Sequence, residues 1–208
     1  MNKLKEKFKV NVKKPSDDFY GKVQLKVMNK HHTSLADWGY THMDISTKNS
    51  ILDVGCGGGK NIKNFLKMNN LAKVYGIDYS EASVKMTKQM NSGAVKKGRL
   101  EVVEGSVEEL PYIDFSFDLV TAFETIYFWD IENGFKEVYR VLQNDGRFMI
   151  VNEAISESQV PNDFREKVGF HVYTPEQIQD ALEKVGFNNI QIDLHENGYW
   201  ITVVATKS

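Results

Sequence analysis

A run of glycines directly after a short apolar segment is the feature of this sequence that most restricts its fold. Residues 51–54 (Ile-Leu-Asp-Val) have the length and composition of a buried strand, and glycines follow at positions 55, 57, 58 and 59. Residues 61–68 then have the pattern of a helix. Because glycine lacks a Cβ atom, a strand, glycine turn and helix in this order bring main chain and a helix N-terminus close to a ligand. The sequence therefore predicts an α/β domain with a ligand site at this turn.

Four more short runs with β-branched content follow along the chain. They are expected to be buried strands, at residues 73–77, 100–103, 117–123 and 147–151. Helical segments lie between them, and Ser80 is expected to cap one that continues to Met90. Strands that alternate with helices through short connections are typical of a parallel sheet covered on both faces.

The last 35 residues predict a different ending. Thr174-Pro175-Glu176-Gln177 combines an N-cap, a proline at the first helical position and a capping-box glutamine, and Gly186 is expected to end that helix. Two strands follow, at residues 189–194 and 199–206, and the short polar turn between them makes them an antiparallel hairpin. The predicted fold is thus Rossmann-like and doubly wound, with a mostly parallel seven-stranded sheet and a C-terminal antiparallel hairpin.

Length and composition narrow the classes of protein that fit. The chain has 208 residues, 41% of them hydrophobic, which suits one domain with a modest extension. We expect residues 1–45 to form a helical extension or lid and residues 46–208 the ligand-binding domain. The net charge of -2 gives no reason to expect nucleic acid, and no apolar run is long enough for a membrane helix. With Cys56 as its single cysteine, the chain is expected to be cytoplasmic; its oligomeric state stays open.

Two acidic residues indicate which ligand the turn binds. Asp78 ends the second strand, where a carboxylate can accept hydrogen bonds from both hydroxyls of a ribose. Asp53 lies two residues before the first glycine, where it would repel a pyrophosphate but attract a positively charged group. A P-loop is excluded because Val54 and Asn61 occupy the positions of its first glycine and its Ser or Thr. The ligand indicated is a cationic nucleoside.

At these positions the chain resembles the class I S-adenosylmethionine-dependent methyltransferases of the small-molecule type. Their first motif reads like residues 53–59, and the resemblance extends through residues 105–108, 115–118 and 137–146 to the closing hairpin. It implies transfer of a methyl group from S-adenosylmethionine to a small-molecule acceptor by in-line displacement, with S-adenosylhomocysteine as product. Two alternatives stay open: an NAD(P)-binding oxidoreductase, and a methyltransferase-like protein that binds without catalysing.

The resemblance also implies where the cofactor binds. It assigns cofactor contacts to ten residues at or near the strand ends, namely Asp53, Gly55, Cys56, Gly57, Gly59, Asp78, Tyr79, Ser106, Val107 and Phe123. The sequence departs from the family at position 106, where an acid is common and a serine stands here. The Ser106 hydroxyl can still hydrogen-bond the adenine amine. Cys56 is interpreted as a small filler of the loop rather than a nucleophile.

Candidate catalytic residues lie outside the glycine turn. If the acceptor must lose a proton, His31, His32, Glu124 and Tyr127 are the residues expected to assist. Glu124 follows the fourth strand, at the edge where α/β sheets bind ligands. No group of His, Cys or acidic residues has the spacing of zinc ligands, so no metal site is predicted.

Overall fold

The computed structural model describes residue 23 and residues 32–208. His31 and most of the predicted extension at residues 1–45 lie outside that part. Residues 32–208 contain seven strands: β1 (Ser50–Val54), β2 (Lys73–Asp78), β3 (Leu100–Glu104), β4 (Phe117–Phe123), β5 (Leu142–Asn152), β6 (Phe187–Leu194) and β7 (Ile201–Lys207). They also contain seven α-helices: α1 (Thr33–Tyr40), α2 (Lys60–Met68), α3 (Glu81–Met90), α4 (Ser92–Lys96), α5 (Ile131–Val141), α6 (Asn162–Val168) and α7 (Pro175–Val185). None of the helices described has the length and apolarity needed to cross a bilayer.

The strands form one sheet in the order β3-β2-β1-β4-β5-β7-β6. β1 to β5 run parallel to one another, and β7 lies antiparallel to both β5 and β6, between them. This confirms the predicted mostly parallel seven-stranded sheet with a closing hairpin. Chain order reverses between β1 and β4, and a ligand crevice is expected outside the carboxyl ends of strands at such a point.

Both faces of the sheet are buried, as the continuous apolar runs of the central strands predict. Ile51 and Leu119 belong to the core on one face, whereas their neighbours Leu52 and Val120 belong to the core on the other. Successive side chains of a strand point to opposite faces, so each central strand contributes to two cores. Consequently the functional residues of this sheet lie at its edges rather than on its faces.

Helix α1 covers the carboxyl ends of β4 and β5. Leu35 and Ala36 are buried in the same core as Val151, and a Cβ atom on Gly39 would lie 2.8 Å from a Val151 methyl carbon. The close packing at Gly39 holds α1 against the sheet. His32, which directly precedes α1, is thereby held near the end of β4.

The predicted helix ends are confirmed where side chains cap them. The Thr174 hydroxyl accepts from the Gln177 amide, the Gln177 side chain accepts in return, and Gly186 ends α7 in the left-handed region. Ser80 caps α3 by accepting a hydrogen bond from the amide of Ser83. These contacts are local in sequence, which is why the sequence alone predicts them.

The start of β5 differs from the prediction. The sequence predicts a turn at residues 144–146 and a strand from Arg147, whereas β5 follows α5 directly at Leu142. Phe117 pairs with Leu142 and Leu119 with Arg147, so between these pairs β4 advances by two residues and β5 by five. The surplus residues form a bulge, in which Asp145 adopts a φ of +60°.

Candidate functional site

The turn between β1 and α2 requires glycine at both of its ends. Gly55 and Gly59 have φ values of +71° and +78°, in the left-handed region. A Cβ atom on Gly55 would lie 2.1 Å from the Thr125 hydroxyl oxygen, and one on Gly59 would lie 2.7 Å from that of Thr87. The turn thus packs closely against the segments that follow β4 and β2, and main chain forms its surface.

The main-chain amides of this turn are largely used inside the protein. Gly55 and Cys56 both donate to the carbonyl of Ile77, and Gly59 donates to the carbonyl of Cys56. The amide of Gly57 donates to Asp78 Oδ2 at 2.9 Å. The sequence predicted that amides of the turn would face the ligand; these four instead hold the turn in shape. What the turn offers a ligand is a surface without side chains.

Asp78 is fixed at the end of β2 by two main-chain donors. Its Oδ2 accepts from Gly57, and its Oδ1 accepts from the amide of Ser80 at 2.9 Å. The residue is 7% exposed, and burial raises the pKa of its carboxyl group above the ordinary range. Each carboxylate oxygen can accept more than one hydrogen bond, so the carboxylate retains acceptor capacity toward the crevice.

Asp53 is a buried acid with one oxygen unsatisfied. It is 1% exposed; its Oδ1 accepts from the Thr121 hydroxyl at 2.7 Å, whereas Oδ2 has no hydrogen-bond partner within the described residues. Burial raises the pKa of Asp53 to about 7, with a smaller contribution from the nearby charge of Asp78, and the Thr121 hydrogen bond opposes both. A buried carboxylate oxygen without a donor is costly, and a cationic or hydrogen-bonding ligand would offset that cost.

A crevice with a cavity volume of about 280 Å³ opens beside these residues. This is close to the lower end of the range for small-molecule sites, roughly 300–1,000 Å³. Its walls come from the ends of β1, β2, β3 and β4, and its lining residues are Val54, Gly55, Ile77, Asp78, Tyr79, Gly105, Ser106, Val107, Glu108, Thr125, Phe128 and Trp129. Five residues predicted from the sequence to bind the cofactor (Gly55, Asp78, Tyr79, Ser106 and Val107) therefore line one crevice.

The crevice contains an acid that sequence reasoning did not single out. The Ser106 hydroxyl donates to Glu108 Oε2 at 2.7 Å and accepts from the Glu108 amide, while Glu108 Oε1 accepts from the amide of Asp130. The sequence lacks an acid at position 106, but Glu108 places a carboxylate in the same crevice two residues later. The signal was present, because Glu108 belongs to the segment that resembles the family.

The other five residues predicted to bind the cofactor are not among those that line the crevice, namely Asp53, Cys56, Gly57, Gly59 and Phe123. The Phe123 ring packs against Tyr40 and Phe65, with ring centroids 5.6 and 6.2 Å apart. Cys56 is buried with its sulfur 3.9 Å from the Thr87 hydroxyl, and burial raises the pKa of its thiol well above the ordinary range. A thiol of this kind is a poor nucleophile, which agrees with its interpretation as a filler.

A second group of polar residues lies directly after β4. Glu124 has a φ of +56°, and its Oε1 accepts hydrogen bonds from the Tyr127 hydroxyl at 3.0 Å and from the amide of Glu153. The Tyr127 hydroxyl also accepts from the amides of Glu153 and Ala154, both at 2.9 Å. Burial, followed by the nearby charge of Glu153, raises the pKa of Glu124 to about 8.

Glu124 Oε2 points toward His32, whose Nε2 lies 3.8 Å away. The structure therefore brings together three of the four residues predicted to be catalytic, and His31 is the fourth. Glu153, which follows β5, joins them and was not singled out from the sequence. Because β4 and β5 are parallel neighbours, an acid after each of them could have been recognised as a pair at one sheet edge.

Comparisons with known proteins agree with this geometry. Residues 52–150 match the family described as "Methyltransferase domain". Among relatives, the "Uncharacterized methyltransferase YdaC" of Bacillus subtilis (strain 168) is 26% identical over 181 residues, which cover 86% of this chain and 94% of that protein. The chain spans only 34%, 44% and 59% of the length of three further methyltransferase relatives.

Solved structures share the fold. The complex between the Haloferax volcanii Trm112 methyltransferase activator and a methyltransferase gives a TM-score of 0.77 at 17% identity, covering 88% of this chain and 93% of that chain. Human N-acetylserotonin methyltransferase in complex with S-adenosylmethionine gives a TM-score of 0.72 at 17% identity, and the match covers 90% of this chain and 56% of that chain.

The fold and the crevice at its strand ends define a doubly wound α/β protein with a candidate ligand site at the point where the strand order reverses. More particularly, the methyltransferase-domain match over residues 52–150 and the methyltransferase relatives indicate the class I S-adenosylmethionine-dependent methyltransferases, whose cofactor is S-adenosylmethionine.

Proposed function

We propose that this protein transfers the methyl group of S-adenosylmethionine to a small-molecule acceptor by in-line displacement. When bound, the cofactor supplies an electrophilic methyl group on a positively charged sulfur. The task of the protein is then to orient the cofactor and the acceptor, exclude water and, for an acidic acceptor, remove a proton. The small-molecule class is supported by the fold shared with N-acetylserotonin methyltransferase.

The cofactor end of the crevice is assigned to the two aspartates and the glycine turn. We assign Asp78 to the ribose hydroxyls, because its carboxylate is fixed by main-chain donors and borders the crevice. Ser106, Val107 and Tyr79 are assigned to the adenine ring. Gly55 borders the crevice, and Gly57 and Gly59, which have positive φ values, hold the turn in the shape that we assign to the rest of the cofactor.

The observation that carries the proposal is the unsatisfied oxygen of Asp53. Asp53 Oδ2 is buried and has no hydrogen-bond donor among the described residues, although Val54 and Gly55, the next two residues of the chain, line the crevice. The amino group of S-adenosylmethionine is a cation of the kind that offsets this cost. A dinucleotide would instead bring its negatively charged pyrophosphate to the turn, so Asp53 disfavours NAD as the ligand.

The acceptor end is assigned to the group that follows β4. We propose that Glu124 and His32 contact the acceptor or receive its proton, because Glu124 is followed directly by Thr125, which lines the crevice. Tyr127 is assigned to positioning Glu124, because its hydroxyl already makes one donor and two acceptor contacts. The role of His31 stays a prediction, since that residue lies outside the described part.

A thermal-shift experiment tests the cofactor assignment. A ligand at about 100 times its dissociation constant stabilises a protein by about 2.7 kcal/mol. For a domain of this size each kcal/mol raises the melting temperature by about 2–4 °C. We expect S-adenosylhomocysteine to raise the melting temperature and NAD to leave it unchanged. A shift with NAD alone would replace the proposal by the oxidoreductase alternative.

A second experiment tests transfer itself. Isotopically labelled S-adenosylmethionine is incubated with the protein and a metabolite extract, and labelled products are identified by mass spectrometry. We expect a labelled small molecule that is missing when Glu124→Gln replaces the wild-type protein, with Glu109→Gln, an exposed acid, as control. Cofactor binding without any labelled product would favour the non-catalytic alternative.

A further inference from the structure

Three side chains from distant parts of the chain converge beside the crevice. One donor atom each from His32, Glu124 and Glu153 lies within 4.8 Å of the other two. This is the one group of three or more His, Cys, Asp or Glu side chains that converges in this way among the described residues. The three are brought together by α1, by the end of β4 and by the end of β5.

The three ligand atoms of this cluster are of the types that bind a first-row divalent cation. One imidazole nitrogen and two carboxylate oxygens suit Mn²⁺, Fe²⁺ or Zn²⁺, whereas Mg²⁺ and Ca²⁺ bind through oxygen alone. Ligand atoms bound at about 2.0–2.3 Å lie at most about 4.0–4.6 Å apart across the ion. The three donor atoms lie within 4.8 Å of one another, so a small inward movement of the side chains would let all three bind one ion. The two carboxylates also supply the two negative charges that neutralise such an ion.

The carboxylate of Glu124 is held by hydrogen bonds of the kind that orient metal ligands in metalloproteins. Its Oε1 is occupied by the Tyr127 hydroxyl and the Glu153 amide, while Oε2 faces His32. Hydrogen bonds of this kind orient ligating carboxylates in metalloproteins. Tyr127 is itself held by two main-chain amides, so the orientation of Glu124 does not depend on the ligand.

We propose that His32, Glu124 and Glu153 bind one first-row divalent cation at the acceptor end of the crevice, so that with the ion bound His32 and Glu124 contact the acceptor through the ion instead of receiving its proton directly. Three protein ligands leave coordination positions open for water or for an oxygen of the acceptor, as in catalytic metal sites. Oxygen-bearing acceptors are thereby favoured. The proposal rests on the cluster itself and holds whether or not the neighbouring crevice binds the cofactor.

Mn²⁺ and Zn²⁺ binding to the full chain tests the site. The protein is treated with a chelator, exchanged into metal-free buffer and titrated with each ion by calorimetry; electron paramagnetic resonance follows free Mn²⁺ independently. We expect one ion per chain, with affinity at least ~10-fold weaker in Glu124→Gln, Glu153→Gln and His32→Asn. The exposed acid Glu109 provides the matched control, since Glu109→Gln should bind the ion as the wild-type protein does.

A milder variant and a titration with a second ligand distinguish loss of the metal site from loss of the fold. Tyr127→Phe retains all three ligands and should weaken metal binding by about 10–100-fold, because it removes an outer-shell hydrogen bond. S-adenosylhomocysteine is titrated into each metal-free variant to show that the fold and the cofactor end are intact. Absence of saturable binding to the wild-type protein, or equal binding by all three ligand variants, would overturn the metal site. Failure to bind S-adenosylhomocysteine would count against the proposed function alone.

Discussion

The two ends of the sheet differ in how completely their polar side chains are hydrogen-bonded. At the amino end, Asn69 donates to the carbonyls of residues 45, 46 and 48 and accepts from the amides of residues 71 and 72. Asp118, at the start of β4, accepts from the amides of Asn49 and Ser50. At the carboxyl end, Asp53 keeps a buried oxygen for which residues 32–208 provide no donor.

This contrast separates stability from function. At the amino end, hydrogen bonds within the chain satisfy the side chains of Asn69 and Asp118, so these two residues stabilise the fold. At the carboxyl end, burial raises the pKa of Asp53, Asp78 and Glu124, because the charged form of each carboxyl group is costly to hold away from water. Perturbed acids gathered in a crevice are typical of functional sites. The following predictions test this division, from the largest expected effect to the smallest.

Replacement of Asn69 should damage the amino end and spare the site. Asn69→Ala removes five side-chain hydrogen bonds, which at about 0.5–1.5 kcal/mol each predicts a loss of stability of about 3 kcal/mol or more. The melting temperature should fall by about 6–12 °C. Calorimetry of unfolding measures this, and Asn70→Ala, at the exposed neighbouring residue, is the control. An unchanged melting temperature would contradict the role given to the amino end.

Replacement of Asp78 should damage the site at the carboxyl end and spare the amino end. Asp78→Ala removes the acceptor assigned to the ribose hydroxyls, and each hydrogen bond to a charged group contributes about 1.5–3 kcal/mol. The dissociation constant of S-adenosylhomocysteine should therefore rise at least about tenfold, as measured by calorimetry. Asp180→Ala, on the exposed side of α7, should leave it unchanged. Affinity like that of the wild-type protein in Asp78→Ala would refute the ribose assignment.

Cofactor affinity should depend on pH through Asp53. With a folded-state pKa of about 7, Asp53 becomes a carboxylate only as the pH rises through 7. Affinity for the cofactor's amino group should therefore increase with pH across that range. At pH values well below 7, the increase should approach tenfold per pH unit. The stability of the unliganded protein should depend on pH with the opposite sign. Asp53 is protonated more readily in the folded than in the unfolded chain, so its contribution to stability is present at acidic pH and is lost as the pH rises through 7.

Titrations with S-adenosylhomocysteine from pH 5.5 to 8 measure this slope. Three other titratable groups act on Asp53 or are acted on by it: Asp78, Tyr40 and Cys56. Burial raises the pKa of the Tyr40 hydroxyl and the Cys56 thiol, so both stay neutral in this range. Asp53→Asn should flatten the profile and leave only the contribution of Asp78. A slope that survives this substitution in full would assign the dependence to another group.

The smallest effect is expected at Cys56. Cys56→Ala removes a buried sulfur that makes one weak contact with Thr87, so the cost in stability should be about 1 kcal/mol or less. Urea unfolding measures that cost, and cofactor affinity and methyl transfer should stay within about twofold of the wild-type values. Loss of transfer with normal cofactor binding would return Cys56 to the candidate nucleophiles.

Much of the fold was predictable because its signals are local. The glycine turn, the capping box at Thr174 and the cap at Ser80 each depend on residues within a few positions of one another. The bulge at the start of β5 was missed because it depends on the register with β4, which no short segment contains. Similarly, Glu108 and Glu153 become part of the site only through their neighbours in space.

By itself the sequence determined the class of fold, the closing hairpin, and the two acids on either side of the glycine turn. Backbone conformation and side-chain alternation follow short-range rules, and these features obey them. The tertiary structure alone decided that amides of the turn donate to Ile77 and Asp78, and that His32 lies near Glu124 and Glu153. It also decided that one oxygen of Asp53 has no donor in the part of the chain that the structure describes. Whether a buried polar atom finds a partner depends on segments many residues apart, and only folding brings them within hydrogen-bonding distance.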